Sequence, residues 1–564
     1  MTVSRTKLVG IALVLFAATA WLYWPSVHGD FLTGMDDDDY LQQAVRWNGL
    51  TWDAVKWAFT SRDPYYHPLP RLSHVLDYQI WGKNAAGHHA TSVVVHALNA
   101  ALVFGFLWTL LGATPLATGE RLMAALCVAV VFAIHPLQVE SVAWMSGRTQ
   151  LLCATFGIGC LWAYVLGACR RLVWGLFVGA LLCKPMAVSL PFVMLVMDYY
   201  PLRRYEQFGW ARLLWWKAML LALAAAAVAV TTISESGGGG LMVSLETVSP
   251  AERVGLMFQS LVFYPWKLIW PGHLSPFYPL RSGFSLDRWA VLASVLSVGV
   301  IIGLAVRRLR QTPAVAAGWG AYVTLVLPVS GLMQTGLYAV ASRYAYLAML
   351  PLLLLAGGAV VWVWRRRATG ARVVLVGLVA CELCLFGVDT RSLIPVWRDA
   401  ETLWRAALVQ FPDSLIVNRA LMITLLDLGK VGEALEYAQR SVEIAPQIAE
   451  SHNNLGHTLS ALGRVQEAIG EYEQALRINP DCAEAQSNLG NALVRAGKIE
   501  EALGHYEQSL SVKPDVALTH YNLAVALTKL GRTQEAVGQL EQALKLRPDL
   551  APARNALTRL RAGQ

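Results

Sequence analysis

Apolar and polar positions fall into two regimes along this chain. Up to about Asp389 long apolar runs are rarely interrupted by charge, whereas Arg398 to Gln564 is built of short, Glu-rich, helix-favouring segments. Runs near 8–26, 87–111, 120–137, 149–168, 211–233, 287–306, 313–333, 341–364 and 371–390 are each long enough to cross a hydrocarbon core of about 30 Å as a helix. A further run, 172–199, is too long for one simple span and is broken at Lys184-Pro185, which predicts two short helices. The pattern predicts about eleven crossings. Segment 251–271 is also apolar, but counting it as a crossing would export the cluster Arg307/Arg308/Arg310. An interfacial helix is expected there, with Trp266 and Trp270 as aromatic anchors and Lys267 turned to the headgroups.

The polar half is periodic. Pro412, Pro446, Pro480, Pro514 and Pro548 recur every 34 residues, as do Gly429, Gly463, Gly497 and Gly531, and Ala434, Ala468, Ala502 and Ala536. Small residues let paired helices approach, Gly marks the turn between them and Pro ends the second, which is the pattern of tetratricopeptide repeats. Four repeats are expected from about 415 to 550, with capping helices near 396–411 and 551–561. Met422 stands where the next two repeats carry Gly, as suits an end repeat. Asn454, Asn488 and Asn522 form a ladder at the same period. Each offers a donor and an acceptor, suited equally to an acceptor peptide backbone and to hydrogen bonds between repeats. The fold class is all-α: a polytopic membrane bundle over 1–391, then an α-solenoid over 392–564.

Composition agrees, with 55% apolar and 15% charged residues. The net charge of +8 does not point to nucleic acid, because the basic residues sit in short clusters beside apolar runs. These clusters are Arg5/Lys7, Arg121, Arg170/Arg171, Arg203/Arg204/Arg212/Lys217, Arg307/Arg308/Arg310 and Arg365/Arg366/Arg367/Arg372. One alternating path puts all six on the cytoplasmic side. On that path the loops 27–86, 138–148 and 234–286 and everything after about 391 lie on the other face. An integral membrane protein with its repeats on the non-cytoplasmic face is therefore expected. Cysteines fall in apolar runs, including Cys381 and Cys384, and read as packing residues, not a redox or zinc site. The first run continues through Trp24 without a small-residue cleavage site, so an uncleaved first span is expected.

Chemistry concentrates on the outer face. Four adjacent carboxylates, Asp36 to Asp39, follow the first span; such a cluster repels itself unless a cation or a proton transfer uses it. Glu140 and His135 lie at the outer end of another span, and with Asp36 and Asp37 would make a site for a general base. A divalent cation, magnesium or manganese, would be held there by Asp36, Asp37 and Glu140. His135 reads equally as a helix-terminal cap. Arg148, Lys267 and Arg343 lie at the depth of a lipid phosphate.

The ordered set Asp36-Asp37 with Tyr40, His67-Pro68-Leu69, Ser73 to Tyr78, Gly87-His88-His89, His135-Pro136, Val139 to Trp144, Gly147-Arg148, Lys184-Pro185-Met186, Trp266-Lys267, Trp270-Pro271, Phe277-Tyr278-Pro279 and Arg343-Tyr344 resembles the transmembrane and tetratricopeptide-repeat-containing protein O-mannosyltransferase family and its bacterial relatives. The resemblance covers nearly the whole chain. It implies a class C glycosyltransferase fold that moves a sugar from a polyprenyl-phosphate donor to Ser or Thr of proteins on the non-cytoplasmic face. By position it implies Asp36 as catalytic base with Asp37 in support, Glu140 as second-loop acid and Arg343 at the donor phosphate, with Lys267 and Arg148 as further phosphate candidates. His67 and His135 are candidate supports, and the repeats would bind the acceptor. Asp38 and Asp39 extend the family's acidic pair, and Ser342 stands where an acidic residue often precedes the Arg-Tyr pair. Two other readings remain: a non-catalytic membrane scaffold for envelope assembly, and a glycosyltransferase acting on lipid or glycan acceptors.

Overall fold

The computed structural model describes residues 3–61, 66–236, 248–280, 288–307, 309, 311–332, 338–366 and 369–562. Among these every regular element is helical; an isolated antiparallel bridge joins Pro279 and Tyr338. Arg308, Arg310 and Arg367 of the basic clusters lie outside the described residues.

The chain divides into two compact units, Met1–Gln410 and Phe411–Gln564. The sequence placed the boundary at 391/392 and gave the helix near 396–411 to the repeats. That helix, Ala400–Gln410, is part of the first unit: Trp404 lies against Phe277 with ring centroids 5.4 Å apart, and Gln410 Nε2 donates to Leu274 O at 3.0 Å.

Among the described residues of the first unit six helices are long and apolar enough to cross a membrane: Arg5–His28, Ala85–Ala113, Trp210–Ser234, Trp289–Arg307, Ser342–Arg366 and Thr369–Trp397. The pair Thr118–Ile134 and Pro136–Ala143, bent by 52°, makes a seventh if counted as one broken span. The expected eleven are not reached among the described residues, although each predicted helix is present. Arg170–Cys183 has 14 residues, so it rises only about 21 Å. Pro185–Tyr199 and Pro313–Val329 are likewise short apolar helices. Helix Pro250–Ile269 is not of the spanning kind and leaves Trp266 and Trp270 exposed.

The centre of this unit is Ala85–Leu110, which packs on Arg5–Tyr23, Thr118–Ile134 and Arg148–Val165. Close approach is imposed by small residues: a Cβ on Gly105 would meet the Trp162 ring at 2.5 Å. Polar side chains cross these contacts. His96 joins Tyr346 Oη at 2.7 Å and Ala133 O at 3.0 Å, Asn99 Nδ2 donates to Leu151 O at 2.9 Å, and Thr155 Oγ1 donates to Asn99 Oδ1 at 2.7 Å. Where water is absent such bonds fix helix register. At the periphery, Thr369–Leu393 buries Phe386 and Thr390, and Cys381 and Cys384 face outward instead of packing inside. Three short helices, Asp36–Trp47, Trp52–Thr60 and Pro68–Trp81, close around Ala44, Ala54 and Val75, with Trp47, Trp57 and Tyr78 laid on them.

The second unit is four helix pairs, Leu415–Asp427/Val431–Ile444, Ala449–Ala461/Val465–Ile478, Ala483–Arg495/Ile499–Val512 and Ala517–Lys529/Thr533–Leu546, followed by Ala551–Ala562. Gly429, Gly463, Gly497 and Gly531 turn each pair with φ between +73° and +84°, a left-handed conformation that a side chain resists. Facing positions trade volume. Gly456 and Gly490 lie under the rings of Tyr472 and Tyr506, where a Cβ would come within 2.8 Å. The corresponding positions are Met422 with Ala438 in the first repeat and Ala524 with Leu540 in the fourth, all buried.

Candidate functional site

The four carboxylates occupy the first turn of helix Asp36–Trp47, where free backbone N–H groups and the helix dipole favour negative charge. Their tasks differ. Asp37 is fully buried and accepts from Leu32 N and Ser146 N, both at 3.0 Å, and from the Ser146 hydroxyl, so both its oxygens are engaged. It latches this helix to the turn Met145–Gly147. Gly147 makes that turn possible, since a Cβ there would sit 2.6 Å from Ser141 O. Asp38 accepts from Gly34 N at 2.6 Å and closes the loop before the helix, while Asp39 is exposed. Asp36 is half-buried, and among the described residues its carboxylate accepts no hydrogen bond. Burial raises its pKa; the positive charges of Arg343 and Lys184 oppose this, and Asp39 adds to it. Burial also pushes Asp37 up to about 6 against the hydrogen bonds from Ser146 and Leu32.

Opposite Asp36 stands a cationic wall. Arg343 pairs with Glu140 through its guanidinium and donates its backbone N–H to Glu140 Oε2 at 3.0 Å. The guanidinium lies against Tyr338, Tyr344 and Trp144, at 4.6, 5.1 and 5.2 Å from the ring centroids. Lys184 Nζ donates to Gln150 Oε1 at 3.1 Å and sits 5.3 Å from the Tyr344 centroid. In the sequence Lys184 stands at a helix break and in the Lys184-Pro185-Met186 motif of the resemblance, without a role at the site. Its signal was Lys184-Pro185 itself: a cation held at a helix break inside an otherwise apolar run.

Other expected residues fall elsewhere. Arg148 is fully buried and committed to Asp77, Ser92 Oγ and His88 O, so it is a structural ion pair, removed from the phosphate set. Lys267 donates to Gly272 O at 2.6 Å and His273 O at 3.3 Å, closing the end of its own helix. His135 accepts from Leu137 N at 3.1 Å and donates to Leu268 O at 3.1 Å, which makes it the helix-terminal cap. His67 lies beside the site, its Nδ1 3.3 Å from Tyr40 Oη; burial lowers its pKa to about 3, so it stays neutral. Among the described residues the ligand atoms of Asp36, Asp37 and Glu140 do not all come within 4.8 Å of one another, so these three do not converge on one metal ion.

In the repeats Asn454, Asn488 and Asn522 are all half-buried, and Asn488 Nδ2 donates to Asn453 Oδ1 of the preceding repeat at 3.0 Å. A second ladder escaped the sequence reading. Asn418, His452, Gln486, His520 and Arg554, each 34 residues apart, donate to the carbonyl of the proline six residues before, Pro412, Pro446, Pro480, Pro514 and Pro548. Five side chains of four different kinds do one task, so identity did not reveal the period.

The tetratricopeptide repeat model matches residues 413–481, 447–515 and 481–549 in successive overlapping registers. Human protein O-mannosyl-transferase TMTC4 is 28% identical over 207 residues, 32% of this chain and 27% of the relative. Human protein O-mannosyl-transferase TMTC2 is 32% identical over 122 residues, 21% of this chain and 14% of the relative. The chain thus aligns with 27% or less of the length of these curated relatives. Among solved structures, the tetratricopeptide repeat protein TTC0263 of Thermus thermophilus matches at 23% identity and a TM-score of 0.27, over 32% of this chain and 95% of that chain.

Proposed function

We propose, from its similarity to protein O-mannosyl-transferases, that this chain is a membrane glycosyltransferase that moves a sugar from a polyprenyl-phosphate donor to Ser or Thr of a protein. The reaction takes place on the non-cytoplasmic face of a bacterial inner membrane, where the repeats recruit the acceptor. The single observation that carries the reading is the half-buried Asp36 carboxylate, which accepts no hydrogen bond among the described residues and faces Arg343 and Lys184. A carboxylate free of hydrogen bonds is open to take a proton, and a cationic wall opposite it is suited to a departing phosphate.

Asp36 accepts the proton of the acceptor hydroxyl as that oxygen attacks the anomeric carbon, with inversion. The bond from carbon to the lipid phosphate breaks, and its electron pair leaves with the phosphate, whose charge Arg343 and Lys184 stabilise. Glu140 holds Arg343 in place through one contact to its guanidinium and one to its backbone N–H. Asp37 is a positioning residue, since it reaches the site only through the helix it anchors. In membranes supplied with lipid-linked sugar, Asp36→Asn is expected to lower transfer by about 10²- to 10⁴-fold, with the protein level unchanged. Transfer retained by that variant would overturn the assignment.

A further inference from the structure

Beside the site, helix Pro68–Trp81 ends on Gly82 and the chain turns straight into Ala85–Leu110. This corner brings together His74, Asp77 and His88, each at most 3% exposed, with one ligand atom from each lying within 4.8 Å of the others. His74 and Asp77 are one turn apart on the same helix face. The hydrogen bonding is what makes the cluster unusual. His88 Nε2 lies 3.0 Å from Gly82 O, an acceptor, so it carries the proton and leaves Nδ1 with a lone pair. That lone pair faces Asp77 Oδ2 across 3.7 Å. Neither nitrogen of His74, nor His88 Nδ1, has a hydrogen-bond partner among the described residues.

Arg148 supplies a positive partner to Asp77 Oδ2, but among the described residues no donor reaches the lone pair of His88 or that of His74, and a buried lone pair with neither a donor nor a cation is costly. We propose that His74, Asp77 and His88 bind a first-row divalent metal ion, zinc in preference to magnesium or manganese. Two imidazoles and one carboxylate are a borderline ligand set, and hard ions call for oxygen. The surroundings are those of a metal site. His88 gives its other N–H to a backbone carbonyl, and the Asp77 carboxylate is held by Thr91 Oγ1 at 2.9 Å and by Arg148. Three protein ligands leave one position for water. The ion ties Pro68–Trp81 to the central helix. Because the His74 ring packs on Tyr40 at 4.7 Å, it also steadies the helix that begins at Asp36. The inference is independent of the glycosyltransferase reading, and its test reads metal, not transfer.

The full chain, carried on a tag without histidine and purified in detergent, is dialysed against zinc and freed of excess metal before elemental analysis. About one equivalent of zinc per chain is expected, with at least about tenfold less in His74→Gln/His88→Gln. Cobalt(II) in its place is expected to show visible d–d bands that the double variant lacks. A strong chelator is expected to lower the thermal midpoint of the unaltered chain, and added zinc to restore it, which reads the site without any substitution. An unaltered chain holding less than about a tenth of an equivalent, its midpoint unmoved by chelator or zinc, would overturn the proposal. So would a full equivalent retained by the double variant, since the metal would then lie elsewhere.

Discussion

Asp36 and Asp37 are neighbours in sequence, and burial raises the pKa of both, but hydrogen bonds from Leu32 and Ser146 tie Asp37 into the structure. Asp36 must be ionised to take a proton, and burial has raised its pKa. Transfer should therefore fall as pH falls, with the acid limb of kcat/KM above the ordinary carboxylate range near 4. An acid limb at or below that range would show that Asp36 is not the titrating base. Asp37 bears on stability instead. Its folded pKa of about 6 exceeds the unfolded value of 3.8, so the folded chain binds more protons between those values. Stability contributed by this group is present below about 4 and lost as pH rises to 6, with a cost on the order of 3 kcal/mol above that. Asp37→Asn should flatten the thermal midpoint across this window, whatever its effect on the midpoint itself. A slope equal to that of the unaltered chain would assign the titration elsewhere. The four carboxylates were legible as a cluster that needed a use. Which one stayed open was not legible, because Leu32, Ser146 and Gly34 decide it and Ser146 is brought in from more than a hundred residues away.

Within the elements, the repeat pairs conserve volume across a contact instead of residue identity. Gly490 makes room for Tyr506, whereas Ala524 faces Leu540 at the same register. Gly490→Ala places a methyl group within 2.8 Å of the Tyr506 ring and should cost about 1 to 3 kcal/mol in urea unfolding of the unit Phe411–Gln564. Gly490→Ala/Tyr506→Leu reproduces the fourth repeat and should recover most of the loss. No recovery would mean that the glycine answers to something besides ring volume. The period of the prolines and glycines was readable because each fixes a backbone event at one place in every repeat. The carbonyl-binding ladder from Asn418 to Arg554 was not, because Asn, His, Gln and Arg all donate hydrogen bonds equally well there.

For the molecule as a whole, two compact units divide the labour proposed above: chemistry in Met1–Gln410, acceptor capture in Phe411–Gln564. Replacing Asn454, Asn488 and Asn522 together by Ala should lower transfer to a protein acceptor severalfold and leave transfer to a short Ser or Thr peptide unchanged. Equal loss on both acceptors, or on neither, would remove the repeats from acceptor binding. Asn488 already bonds Asn453, so circular dichroism of the variant must first show that the solenoid is intact.

By itself the sequence determined the two regimes, the helical content, the 34-residue repeat and the break at Lys184-Pro185, because apolar run length and the backbone habits of Gly and Pro are local properties. It also pointed to Asp36, Glu140 and Arg343 through their resemblance to a known family. Tertiary structure alone decided that Arg148 is spent on Asp77, that Lys184 joins Arg343 before Asp36, and that two histidines and an aspartate share a corner. Each of these depends on which buried charge finds which partner, a choice made between helices far apart in the chain and enforced by the high cost of leaving a charge unpaired away from water.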